Sequence, residues 1–170
     1  TGAHQAGFEG DVKCTTTESG IAKLLRRSTH GDDVPLDQLG SYRIDQMQIE
    51  VIDPVSDYAE LMAEIFDFDA IRRLLDSGFR IRFDAMHAIT GPYAKRLLEQ
   101  MLEAPEGTVI NGEPLEDFGG HHPDPNLVHA AELVAMTPGP DGVAFPAASH
   151  GDGDRNMILG RDFFVTPSDS

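Results

Sequence analysis

The 170-residue sequence contains a single cysteine, Cys14. An internal disulfide and a cysteine-based zinc cluster are therefore both excluded, and a reducing, cytoplasmic location is expected. Basic residues are also scarce: 13 Lys and Arg stand against 29 Asp and Glu, a formal charge of -16. Nucleic acid and anionic membrane are bound by neutralising phosphate with Lys and Arg, so neither partner is expected. A small phosphate ester stays compatible, because a metal ion or a few placed Arg reverse the field locally. No apolar run approaches the roughly 18 residues of a membrane helix. The opening TGAHQAGFEG lacks the charged-then-apolar order of a signal peptide. It also lacks an initial Met, and a processed or cut piece is expected. What is present is ordinary for a soluble globular protein: 40% apolar and 25% charged residues, in a length that suits one domain or slightly more.

Residues 1–45 read as an irregular N-terminal segment, with a short helix expected over Glu18 to Arg27. From Gln46 the pattern sharpens. MQIEVID predicts a strand over 47–52. The following helix has Ser56 as cap and an apolar face of Tyr58, Leu61, Met62, Ile65 and Phe66. A second helix over Asp69 to Leu75 stops at Ser77-Gly78. FRIRFDA predicts a strand with Arg80 and Arg82 turned to solvent or nearby acids. GPYAKRLLEQMLEA predicts a helix with Pro92 in its first turn, and TVIN a short strand. A long connection, EPLEDFGGHHPDPN, leads to a helix in LVHAAELVAM with Asn126 as cap. VAFPA is a strand, and NMILG with DFFVT a hairpin around Gly160-Arg161. The alternation predicts an α/β fold: a three-layer α/β/α domain with a mainly parallel sheet over 46–170. Ligands of such sheets gather at the carboxyl ends of the strands.

The stretch SHGDGDRNMILG, residues 149–160, falls at such an end. Asp152 and Asp154 stand two apart, and Gly153 between them permits backbone angles that let both carboxylates converge on one cation. Oxygen ligands suit Mg or Ca. Arg155 next to them is suited to hold a phosphate oxygen. A calcium-binding helix-loop-helix is excluded: counting from Asp152, the sixth residue is Met157 rather than Gly and the twelfth is Phe163 rather than Glu. On these residues alone, a metal site and a solvated acidic turn remain equally open. The other histidines have structural readings. His121 and His122, adjacent on an extended loop, point apart and hold the connection, and His87 packs or caps behind its strand.

Five stretches carry a resemblance: EVIDPVSDYAELMAEIFDFDAI, FDAMHAITGPYAKRLL, PLEDFGGHHPDPNL, GDGDRNMILG and FFVTPSDS. Together, from about residue 47 onward, they closely resemble the second, metal-loop domain of phosphoglucomutases of the α-D-phosphohexomutase superfamily. The resemblance implies interconversion of glucose 1-phosphate and glucose 6-phosphate. It also implies a phosphoserine, Mg and glucose 1,6-bisphosphate, and a hexose phosphate as partner. It places Asp152 and Asp154 on the second and third Asp of the family loop DGDGDR, and Arg155 on its Arg. His150 stands at the first Asp, so weaker Mg binding or a shift toward Mn or Zn is expected. The opening TGAHQAG resembles the phosphoserine loop TASHNP weakly, which would make His4 a catalytic residue and put Ala3 where the Ser belongs. The sugar and phosphate loops of two further family domains do not appear. Two functions follow as expectations. One is the family's phosphoryl transfer, with this chain inactive alone. The other is a catalytically silent domain that binds metal or a protein partner and self-associates through surface left by missing domains.

Overall fold

The computed structural model describes residues 35, 38–44, 46–136, 142–160 and 163–169. The expected helix over Glu18 to Arg27, and His4 with Ala3, lie outside them. Two compact units divide at Asp57 and Tyr58. In the first, β1 (Gly40–Ile44) and β2 (Met47–Val51) form an antiparallel pair. The strand expected at 47–52 is thus present, and its partner β1 corrects the reading of 1–45 as irregular throughout: residues 40–44 are extended because they pair with β2.

The helix α1 (Ser56–Ile65) begins at the unit boundary. Ser56 is its first residue rather than its cap, and the Ser56 hydroxyl donates to Asp53 Oδ2 at 2.5 Å. The apolar stripe of α1 is largely open: Tyr58, Leu61 and Ile65 are exposed, as is Phe66 just beyond, while Ala59 is buried. The next helix, α2 (Phe68–Asp76), is capped by Asp67, whose Oδ1 accepts from the Ala70 N–H at 2.8 Å. It stops at Gly78, whose φ of +95° few side chains tolerate.

The second unit is organised around a five-stranded sheet. Its strands are β3 (Ile81–Asp84), β4 (Val109–Ile110), β5 (Phe145–Ser149), β6 (Asn156–Gly160) and β7 (Phe163–Val165), in the order β4-β3-β5-β6-β7. Strands β3, β4 and β5 run parallel, β6 is reversed, and β7 reverses again. Four of the five therefore share one direction, as the βα alternation predicts. The expected terminal hairpin is β6-β7, with Gly160 facing Phe163.

Register shows why the sheet is covered on both faces. Phe83 pairs with Val109 and Ala147, so these side chains share a face. There Phe83 and Val109 pack with Ala94 and Leu98 of the helical segment that follows β3. Ala148 pairs with Met157, and both project from the opposite face. On that side they form a core with Leu159, Met86, Ala130 and Leu133, the last from the helix α4 (Ala131–Ala135). A layer of helix on each side of one sheet is the three-layer arrangement.

Three local features depart from the periodicity. The helix predicted after Gly91 is α-helical only over α3 (Thr90–Ala94) and widens into a π-helix over Lys95–Met101. At its end the Leu102 N–H reaches the Leu97 carbonyl, five residues back, at 2.8 Å. The predicted helix in LVHAAELVAM is shorter, because its first turn is non-helical. Asn126 still caps that turn, its Oδ1 accepting from the Val128 and His129 N–H groups at 2.9 Å each. Finally, Arg82 does not extend into solvent: its guanidinium donates to the Gly107 carbonyl.

Proline within a central strand normally interrupts the ladder. Pro146 of β5 is nevertheless fully buried. The pairing of β6 with β5 starts only at Ala147, so the missing N–H leaves no gap on that side. The residues after it, Ala147, Ala148 and Ser149, are all buried. They deliver the chain rigidly to the loop at the carboxyl end of β5.

Candidate metal centre

The loop 150–155 joins β5 to β6 and closes on itself. The His150 N–H donates to the Arg155 carbonyl at 2.8 Å, and the Gly153 N–H to the His150 carbonyl at 3.0 Å. Gly153 has φ +79°, and a Cβ there would lie 3.0 Å from Thr90 Cγ2 at the start of α3. The turn thus needs glycine for its backbone angle and for its neighbour. The long Gly/Pro connection holds the other side. The Gly151 N–H donates to the Pro123 carbonyl at 3.0 Å, and a Cβ on Gly151 would meet the Pro123 ring at 2.9 Å.

This closure brings His150, Asp152 and Asp154 together, with one ligand atom from each within 4.8 Å of the others. His150 Nδ1 lies 2.6 Å from Asp152 Oδ1 and 3.1 Å from Asp154 Oδ1. The far ring nitrogen, Nε2, is 2.7 Å from Arg155 Nη2. A guanidinium only donates, so Nε2 accepts and the neutral ring carries its proton on Nδ1. That N–H donates to Asp152. Arg155 also has Nε 3.5 Å from Asp154 Oδ1 and Nη1 3.7 Å from Asp124 Oδ1. The hydrogen bond from His150 holds the Asp152 carboxyl down at about 2, against an ordinary 3.8. The Asp154 side chain and N–H assist, and partial burial opposes.

The depressed Asp152 pKa has a direct consequence for acid stability. A carboxylate whose folded pKa lies below its unfolded value contributes above the unfolded value, and loses that contribution as pH falls through the folded one. Urea unfolding of the native protein and of Asp152→Asn should therefore differ above pH 3.8 and converge by about pH 2. A gap that stays constant over that range would contradict the role given to the His150 bond.

The donor set fits a divalent cation. Two ligands on opposite sides of an ion at 2.0–2.2 Å are at most about 4.4 Å apart, so the widest pair must close slightly, while His150 Nδ1 and Asp152 Oδ1, at 2.6 Å, must part to admit the ion. The sequence-predicted residues His150, Asp152, Asp154 and Arg155 are thus assembled at one place. His87 is not part of it. Its Nδ1 lies 2.9 Å from the Glu113 carbonyl, and its ring fills the space over Gly119. His122 stacks on His129 with centroids 5.0 Å apart, as befits a structural histidine. Sequence reasoning missed Asp124, Pro123 and Thr90. They lie 27 to 65 residues from Gly151, Gly153 and Arg155, and only the folded chain places them there.

Residues 56–162 match the family model described as phosphoglucomutase/phosphomannomutase, alpha/beta/alpha domain II. The chain belongs to the phosphoglucomutase/phosphomannomutase family. It is 59% identical over 138 residues to a phosphoglucomutase of Rhizobium radiobacter, a match covering 81% of this chain and 26% of that one. A chloroplastic phosphoglucomutase of Marchantia polymorpha is 58% identical over 139 residues, covering 81% of this chain and 21% of the other. Among solved structures, the open form of parafusin, a phosphoglucomutase from Paramecium, superposes with a TM-score of 0.73 at 43% identity. That match covers 81% of this chain and 26% of parafusin. The chain spans about a quarter of the length of these relatives. The α/β fold of the second unit is thus the family's domain II. Among the described residues, no helix is long and apolar enough to cross a membrane.

Proposed function

We propose that this chain supplies the cation-binding loop of a phosphoglucomutase-type enzyme that interconverts glucose 1-phosphate and glucose 6-phosphate, and that it is inactive alone. The convergence of His150, Asp152 and Asp154 on one point carries this reading. The relatives' being phosphoglucomutases supports the choice of reaction. A divalent cation held there would neutralise charge on a phosphoryl group in transfer. Mg is the family expectation. The imidazole of His150 favours Mn or Zn, because nitrogen suits the later transition metals better than hard Mg. Arg155, half-exposed beside the loop, would steady the phosphoryl oxygens. Glucose 1,6-bisphosphate as intermediate and a cytoplasmic location complete the reading.

The test is a chimera. Residues 47–170 replace the corresponding segment of the Rhizobium radiobacter relative, and glucose 1-phosphate turnover is followed with the bisphosphate and Mg or Mn. We expect no turnover from the chain alone and a reduced but measurable rate from the chimera. No rate from a folded chimera with either metal rejects the proposal.

A second reading, a silent domain that binds metal or a protein partner, is favoured by His150 in the loop and by the open stripe of Tyr58, Leu61, Ile65 and Phe66. In that reading the stripe joins two copies. Sedimentation should then show a dimer that Leu61→Glu disperses, and a monomer for the native chain counts against it.

A further inference from the structure

The bonding of His150 has a consequence that goes beyond cation binding itself. We propose that Arg155 and a divalent cation compete for opposite nitrogens of the His150 ring. Occupation of the loop would then release Arg155 from the imidazole and make it available to an anionic phosphoryl group. This inference rests on the cation reading given above.

A neutral imidazole carries one proton and one lone pair, on different nitrogens. Arg155 Nη2, at 2.7 Å, takes the lone pair of Nε2. The proton is then on Nδ1, directed at Asp152 Oδ1 at 2.6 Å with Asp154 Oδ1 at 3.1 Å. The space between the two carboxylates is therefore filled by an N–H, and a cation needs a lone pair in the same place. For Nδ1 to become a ligand, its proton must pass to solvent while Nε2 takes one from solvent. The ring stays neutral and no net proton is gained or lost. A protonated Nε2 can no longer accept from Arg155, so that bond breaks.

The other tethers of Arg155 are weak enough to let it go. Its Nε is 3.5 Å from Asp154 Oδ1, and Asp154 is drawn to the cation in the same event. Among the described residues, only Asp124, at 3.7 Å from Nη1, remains outside the cluster. The Arg155 side chain is 47% exposed, so it has room to turn outward while staying close to the loop. An Asp at position 150 could not do this. A carboxylate can accept from a guanidinium with one oxygen and hold a cation with the other. His150 therefore makes Arg155 conditional on the cation.

The experiment uses the full chain with 15N-labelled histidine and zinc, which is diamagnetic. Calorimetry first establishes whether zinc binds. Nitrogen chemical shifts of the His150 ring then report the tautomer. Without zinc, Nδ1 should carry the proton and Nε2 should accept. With zinc, Nδ1 should lose its proton and Nε2 should gain one. In Arg155→Met the zinc-free ring should become a mixture of tautomers, and zinc affinity should rise about fivefold, the worth of one hydrogen bond no longer broken. Zinc binding with Nδ1 still protonated overturns the competition and leaves the cation reading intact. Equal zinc affinity in native protein and Arg155→Met also overturns it. No zinc binding in either protein overturns both.

Discussion

Replacing His150 by aspartate is expected to raise magnesium affinity about tenfold and to lower the preference for zinc over magnesium about a hundredfold. The substitution converts two oxygens and a nitrogen into three carboxylates, the hard-ligand set that magnesium prefers. It also removes the N–H that fills the space between Asp152 and Asp154. The cation-free loop should suffer, because three carboxylates then crowd within 4.8 Å of one another beside Arg155. Melting temperature without metal should therefore fall below that of the native protein, and magnesium should restore it. Titration calorimetry with magnesium and zinc measures the first effect, and thermal scans with and without magnesium the second. Magnesium affinities equal within a factor of two would show that position 150 does not face the cation.

Gly91→Ala should destabilise the domain by about 3 kcal/mol. Helix propensity alone argues the reverse, since alanine is favoured over glycine by about 1 kcal/mol inside a helix. The structure overrides it. A Cβ on Gly91 would stand 2.2 Å from the Gly112 carbonyl oxygen and 2.6 Å from its carbon, and both are backbone atoms. Neither α3 nor the turn after β4 can yield without moving Val109 and Ala94 in the core behind them. Gly78→Ala provides the comparison. Its φ of +95° costs about 1 kcal/mol, but nothing lies within 4 Å of the added carbon. Urea unfolding of both variants should rank Gly91→Ala well below Gly78→Ala. The opposite order would mean that α3 does not pack closely against Gly112.

The sheet strands of the second unit were legible because their residues alternate or are continuously apolar over short runs bounded by glycine and proline. The hairpin β6-β7 is the clearest case. Helix limits were less legible. Nothing in KRLLEQM distinguishes a π-turn from an α-turn, since both leave leucines on the core side. The choice is made by packing around Leu98, and by Glu99, whose Oε1 accepts from the Val109 N–H at 3.0 Å. The stripe on α1 reads as an apolar face by periodicity, and most of it is exposed. Amphipathic spacing says which side is apolar and not what covers it.

The loop shows the same division. Asp152, Gly153 and Asp154 permit a convergent turn by local chemistry, but a solvated acidic turn reads the same, and the family resemblance was needed to choose between them. The role of His150 was visible only as an exchanged ligand, because a sequence does not show which nitrogen faces which partner. The props from Pro123, Asp124 and Thr90 depend on contacts between segments far apart in the chain, which no local pattern encodes.

The central place of β5 has one more effect. Ala147 and Ala148 are paired to β3 on one side and β6 on the other, and both are buried. Their amide hydrogens are therefore expected to be among the slowest to exchange with solvent deuterium. The root of the loop is therefore held by strands on both sides. Whatever changes at positions 150 to 155 when an ion arrives must be made by side chains turning on a fixed stem.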